Sequence, residues 1–109
     1  MGRVFVCSAL VSMMTLGSAA AQDQAARGAK VYADQKCSVC HSIAGKGNAK
    51  GSLDGVGTRL SRDDIHAWIV DAKGQTAKTN AARKPPMKNY VLPKEDVDAL
   101  VAYLSTLKK

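Results

Sequence analysis

The sequence is poor in cysteine, in aromatic side chains and in acidic residues, and each shortage makes some classes of function or partner less compatible with the chain. Its 109 residues include three cysteines, one tryptophan, one phenylalanine and three tyrosines, with 16 basic residues against 9 acidic ones. The few aromatics are not interleaved with basic residues as a nucleic-acid stacking surface requires, so we expect no nucleic-acid partner. The net charge of +7 instead suits an anionic membrane surface or an acidic protein.

No apolar run in the sequence reaches the ~18–20 residues that a membrane-spanning helix needs. The longest, from Val4 to Leu16, follows the positively charged Arg3 and precedes an Ala-x-Ala pattern ending at Ala21. That order is typical of a secretory signal peptide, and the alternative, an uncleaved anchor, needs a longer run. We predict a signal peptide over residues 1–21, which removes Cys7, and one exported, periplasmic domain over residues 22–109 without stable membrane insertion.

Strand patterns are also missing, and the predicted elements of the mature domain are helices. Apolar periodicity predicts helices over 23–36, from a cap at Ser61 to a stop at Gly74, and from Pro93 to Leu107. Glycines fill much of 42–60, and residues 75–92, with Pro85 and Pro86, are expected to be irregular. The fold class is therefore all-α, with about three main helices plus large loops. So small a domain often needs a disulfide, metal or cofactor.

Residues 37–41, CSVCH, carry the main chemical signal. A thiol–disulfide enzyme would need strands of a βαβ unit around the cysteines. Zinc would need Cys37, Cys40, His41 and His66 around one ion, although adjacent Cys40 and His41 make a tetrahedral site awkward. A structural Cys37–Cys40 disulfide would close a very small loop and gain little from it. CxxCH is the attachment signature of haem c: the two cysteines reach the porphyrin vinyl groups, and His41 follows as an iron ligand.

Further stretches extend this signal along the chain. In order they are the G-x-x-x-Y pattern of Gly28 and Tyr32, CSVCH, LDGVGTRLSRDD, KPPMKNY and EDVDALVAYLSTLK. Over roughly residues 26–107 the chain resembles class I c-type cytochromes, the small monohaem bacterial proteins. The resemblance implies a cytochrome c fold around one covalently bound haem per chain. It also implies that the N- and C-terminal helices cross, with Gly28 and Tyr32 meeting Leu100 and Tyr103.

The resemblance also implies roles for particular side chains. Cys37 and Cys40 would form thioethers, His41 would be the proximal iron ligand, and Met87 the distal one. His66 is the rival distal ligand, but its helical phase points it to solvent. Arg59 and Trp68 are candidates for hydrogen bonds to the haem propionates; a solvated charge and helix packing are their respective alternatives. Ser52 departs from the family, which has proline beside the glycine whose loop contacts the proximal histidine.

These expectations define a function without catalysis. Two protein ligands leave iron no open position, so we expect a monomeric, soluble one-electron carrier rather than an enzyme. Lysines flank the two ligand segments, one around His41 and the other around Met87. They predict docking to acidic redox proteins. A permanently bound subunit of a dehydrogenase or oxidase complex and a gas- or peroxide-reactive haem protein are the alternatives. The lysines in question are Lys36, Lys46, Lys50, Lys84 and Lys88.

Overall fold

The structure is a computed structural model that describes Gly2 and residues 16–109. Most of the predicted signal peptide lies outside the described residues. Residues 16–109 form five α-helices: α1 Leu16–Asp34, α2 Val56–Arg59, α3 Arg62–Val70, α4 Ala72–Thr79 and α5 Lys94–Ser105. No described helix combines the length and apolarity that crossing a bilayer requires. The all-α prediction is confirmed.

The crossing of α1 and α5 organises the domain. A Cβ atom on Gly28 would collide with the Ala99 carbonyl oxygen and the Tyr103 side chain, so only glycine lets the two backbones approach this closely. The rings of Tyr32 and Tyr103 meet edge to face with centroids 6.1 Å apart. Together with an ion pair between Arg27 and Asp96 at 2.9 Å, these contacts fix the crossing that the resemblance implied.

The apolar core lies where α1, α2 and α3 pack on α5. Alternating three- and four-residue steps place the apolar residues of α5 on one face, which is the spacing of a buried helical stripe. Tyr32, Leu60 and Tyr90 are partly buried and pack against this core. The buried cluster consists of Val31, Val56, Ile65, Ile69, Val97, Leu100, Val101 and Leu104.

The predicted end of the second helix was wrong. This helix, α3, ends at Val70, and Asp71 then caps a separate helix, α4, by accepting a hydrogen bond from the Gly74 N–H at 3.2 Å. An aspartate cap satisfies free N–H groups in the first turn of a helix. Gly74 therefore lies inside α4, and the irregular segment begins after Asn80, whose φ of 55° ends the helix.

The other boundaries differ by smaller amounts. α1 begins at Leu16, ahead of the predicted residue 23, and Pro93 precedes α5 as its cap instead of occupying its first turn. Ser61 caps α3 as predicted and accepts the Asp64 N–H at 3.1 Å. Within the glycine-rich loop, β1 Ser42–Ile43 and β2 Lys46–Gly47 pair as a two-stranded antiparallel hairpin. Their shortness agrees with the expectation of no strand of useful length.

Candidate functional site

The CSVCH segment begins where α1 stops. Lys36 adopts a left-handed conformation with φ 55°, and Cys37–Val39 then form a single 3₁₀ turn. The Cys37 carbonyl accepts hydrogen bonds from the N–H groups of Cys40 at 3.1 Å and His41 at 2.9 Å. This turn holds both cysteines, half-buried and not joined as a disulfide, next to the histidine. Burial raises the pKa of the Cys37 thiol, and the nearby Lys88 ammonium partly opposes that rise.

The His41 imidazole is fixed by a backbone carbonyl. Its Nδ1 lies 2.9 Å from the Gly51 oxygen. A carbonyl oxygen only accepts, so Nδ1 carries the proton and Nε2 keeps its lone pair. Burial is the main cause that lowers the pKa of His41, and the Arg83 charge adds to the effect. The result is a neutral, oriented imidazole, which is the form that binds metals.

Asn48 ties the loop that carries Gly51 to the CSVCH segment. Its backbone N–H donates to the carbonyls of His41 at 2.9 Å and Ser38 at 3.1 Å, and its side-chain amide donates to the Val39 carbonyl at 3.2 Å. The Asn48 carbonyl in turn accepts the Gly51 N–H at 3.1 Å. These hydrogen bonds hold the loop that carries the Gly51 oxygen next to the CSVCH segment. Ser52 is exposed, and its hydroxyl accepts the Asp54 N–H at 3.2 Å.

Met87 is half-buried in the irregular segment between α4 and α5. Two hydrogen bonds to the α3–α4 region anchor the residues after it: the Tyr90 N–H donates to the Ile69 carbonyl at 2.8 Å, and the Asn89 side-chain oxygen accepts the Lys73 N–H at 3.0 Å. Lys88 lies over the Tyr90 ring, 5.0 Å from its centroid.

Residues on both sides of Met87 come close to the CSVCH segment. Lys88 is near enough to Cys37 for its charge to act on the thiol. Arg83 packs on Gly51 and lines a groove together with Cys40, Pro85 and Lys50. The segment that carries Met87 therefore borders the same region as His41.

The remaining predicted residues are Arg59, Trp68 and His66. Arg59 is exposed and donates to the Asp54 carbonyl at 2.6 Å. Trp68 is half-buried, and it is not among the described residues that pack on the core cluster. His66 is exposed on α3, which confirms the predicted solvent-facing phase. The propionate roles of Arg59 and Trp68 stay predictions.

The donor set suits a covalently tethered haem. Two half-buried thiols lie one turn apart, and the adjacent imidazole has a free Nε2 lone pair. Tyr32, which packs beside the core and lies near Cys37, has the one buried side-chain hydroxyl without a hydrogen-bond partner in the described part of the chain. A buried polar atom without a partner is costly, and a bound group is one way to relieve it. Between residues 16 and 109, no three His, Cys, Asp or Glu side chains assemble as a metal-ligand cluster.

Comparison with protein families decides the classification. The family model for cytochrome c matches residues 25–108. The chain belongs to the cytochrome c family. No curated protein and no solved structure matches it significantly. The family match confirms the resemblance: this cytochrome c is a haem c electron-carrying protein, and the family implies that the haem is covalently bound.

Two contributors to the site of this cytochrome c had no local sequence signal. Asn48 lies in a glycine-rich loop and uses both its backbone and its side chain, but its partners Ser38, Val39 and His41 lie seven to ten residues earlier in the chain. Arg83 contacts Gly51, which lies more than thirty residues earlier in the chain. Only the folded arrangement brings these residues to His41.

Proposed function

We propose that this cytochrome c is a periplasmic one-electron carrier with one haem c per chain. Cys37 and Cys40 form the thioether tethers, His41 is the proximal iron ligand and Met87 the distal one. The observation that carries the proposal is the His41–Gly51 hydrogen bond at 2.9 Å, because it holds a neutral imidazole with Nε2 available for a metal. When bound, haem c supplies one-electron redox chemistry.

The protein's own residues set how that chemistry is used. The Gly51 carbonyl keeps the imidazole in one tautomer and orientation, and a hydrogen bond to the far nitrogen makes a ligating histidine more basic. A methionine thioether as the second ligand raises the reduction potential. The approach of Arg83 and Lys88 to the CSVCH segment supports Met87 as that ligand. With His41 and Met87 both holding the iron, no ligand position would remain for a substrate.

Arg59 and the Trp68 indole N–H are proposed to hydrogen-bond the haem propionates. Trp68 is half-buried without joining the core cluster, and its indole N–H is a hydrogen-bond donor. Arg59 already donates one hydrogen bond to the Asp54 carbonyl. A guanidinium has five N–H donors, and four remain for a carboxylate.

Carbon monoxide binding distinguishes the carrier from a gas- or peroxide-reactive protein. With iron held by both His41 and Met87, the reduced protein should bind carbon monoxide slowly and incompletely at neutral pH. Met87→Ala opens one position and should bind it rapidly, whereas His66→Ala, which changes an exposed histidine, should behave like the wild type. Rapid binding by the wild type would contradict a stable carrier.

The partner is proposed to be an acidic redox protein. Lys36, Lys46, Lys50, Lys84 and Lys88 are all exposed. Lys50 and Lys84 line one groove with Cys40 and Arg83, which brings charges from both ligand segments to one face. Opposite charges across an interface speed association, and salt screens them over ~8–10 Å.

Salt dependence tests this docking face. The electron-transfer rate to an acidic redox protein should fall as salt rises, and the double variant Lys50→Gln, Lys84→Gln should reduce both the rate and its salt slope. Lys108→Gln, which changes a lysine at the far end of the chain, is the matched control. A salt-independent wild-type rate would overturn the proposed face.

A further inference from the structure

Arg83 covers the residue that orients His41. A Cβ atom on Gly51 would collide with both the Arg83 guanidinium and the Cys40 carbonyl. Arg83 is half-buried, and within residues 16–109 the ion pairs are Arg27–Asp96, Lys30–Asp34 and Lys94–Asp98, so no described carboxylate neutralises it. An unneutralised cation therefore rests on the backbone of Gly51.

This contact joins the two ligand segments. Arg83 lies four residues before Met87 in the irregular segment, while Gly51 belongs to the loop that follows His41. At residue 52 the chain has an exposed serine, so that side chain does not cover the histidine loop. The Arg83 guanidinium is planar and reaches the same loop from the segment that carries Met87.

The contact between Arg83 and Gly51 also places a positive charge beside the loop that orients His41. A nearby cation opposes any increase in positive charge on the imidazole and on a metal that it holds. For an iron centre, oxidation is such an increase, so the cation favours the reduced state.

We propose that Arg83 is a positioning residue that holds the Gly51 carbonyl against the His41 Nδ1–H and raises the reduction potential through its charge. The inference rests on the proposed function, in which His41 is an iron ligand. It adds a link between the two ligand segments through a side chain that is itself not a ligand.

The test compares Arg83→Gln with Lys84→Gln in the holoprotein. Lys84 is the adjacent cation in the same groove, but it is exposed, and the side-chain atoms nearest to a Cβ on Gly51 belong to Arg83. One readout is hydrogen exchange of the Gly51 amide, which is bonded to the Asn48 carbonyl at 3.1 Å. The other is the reduction potential.

Arg83→Gln should speed Gly51 amide exchange at least about threefold and lower the potential by about 30 mV, which is about a threefold change in the redox equilibrium for one electron. Lys84→Gln should change neither readout by a comparable amount. Arg83→Lys keeps the charge but loses the planar group. Its reduction potential should therefore stay close to that of the wild type, while its Gly51 amide should still exchange faster than in the wild type. If Arg83→Gln and Lys84→Gln are indistinguishable in both readouts, Arg83 has no positioning role.

Absorption spectra distinguish failure of the Arg83 proposal from failure of the proposed function. If Arg83→Gln shows intact haem c with unchanged ligation and unchanged readouts, the Arg83 proposal fails and the carrier assignment stands. A wild-type protein without haem c, or with His41 not bound to iron, overturns both. Should Arg83→Gln not fold, Arg83→Lys decides the proposal, because wild-type exchange at Gly51 in that variant would contradict the need for a guanidinium.

Discussion

At the residue scale, the atoms packed around Gly51 leave no room for a side chain. The Gly51 carbonyl accepts the His41 Nδ1–H at 2.9 Å, and a Cβ atom on Gly51 would collide with the Cys40 carbonyl and the Arg83 guanidinium. The Cys40 carbonyl belongs to the backbone and cannot turn aside as a flexible side chain does. Any larger residue at position 51 must therefore move the loop or the CSVCH turn.

Gly51→Ala should lower the free energy of unfolding by about 1–3 kcal/mol, which is typical for overpacking a tight site. The measurement is denaturant unfolding of the holoprotein. Ser52→Ala is the matched control, because it changes the adjacent exposed residue and removes only the hydrogen bond from the Asp54 N–H. Equal stability of the two variants would mean that Gly51 is not confined as the structure indicates.

The ligand candidates were predictable from sequence to different degrees. Cys37, Cys40 and His41 form a continuous motif, and the geometry of one turn explains their spacing. Arg83 and Asn48 were not predicted, because their contacts join segments that are distant in sequence or use backbone groups common to every residue. The family resemblance implied only that the loop of Gly51 and Ser52 contacts the proximal histidine, and the structure identifies the Gly51 carbonyl as the acceptor from His41.

At the scale of elements, the α1–α5 crossing depends on Gly28. The Ala99 carbonyl oxygen and the Tyr103 Cβ atom occupy the space that a side chain would need. Because α5 contributes half of the buried cluster, separating the two helices would also disturb the core beside Tyr32 and Tyr103. The crossing is thus a close backbone approach that a single methyl group can disrupt.

Gly28→Val should lower the free energy of unfolding by more than about 1–3 kcal/mol, since overpacking here meets backbone atoms. Ala26→Val is the control: it places valine at an exposed position of the same helix and measures the helix-propensity cost alone, which is below about 1 kcal/mol. Thermal or denaturant unfolding of both holoproteins checks the difference. A Gly28→Val protein as stable as Ala26→Val would contradict the tight crossing.

Element boundaries were less predictable than element type. The long helices have strong apolar periodicity, and the Ser61 cap marks the start of α3. By contrast, α4 has one buried residue, Ala72, and contains Gly74, so its weak periodicity and its glycine both favoured an irregular segment. Its formation depends on the Asp71 cap and on the contact of Lys73 with Asn89, the second of which is tertiary.

At the scale of the whole molecule, export and cofactor attachment are linked in the proposed function. α1 continues through the predicted cleavage position after Ala21, yet every residue from Ala19 to Gln24 is exposed. The packed part of α1, from Gly28 onwards, lies beyond that position. Removal of residues 1–21 would therefore leave the α1–α5 crossing and the CSVCH segment intact.

The intact mass of protein recovered from the periplasm should equal residues 22–109 plus one haem, under denaturing conditions that remove non-covalent groups. Cys37→Ala with Cys40→Ala should give the mass of the polypeptide alone, because thioethers cannot form. A wild-type mass that retains residues 1–21 would contradict the predicted cleavage. A wild-type mass without haem would contradict covalent attachment.

The most direct measurement of the central claim is the absorption spectrum of the purified protein in both redox states, recorded for the wild type, Met87→Ala and His66→Ala. We predict haem c bands in all three and a ferric sulfur-to-iron charge-transfer band in the wild type and His66→Ala that Met87→Ala lacks. A charge-transfer band that survives in Met87→Ala would contradict the assignment of Met87, and a wild-type protein without haem bands would contradict the account as a whole.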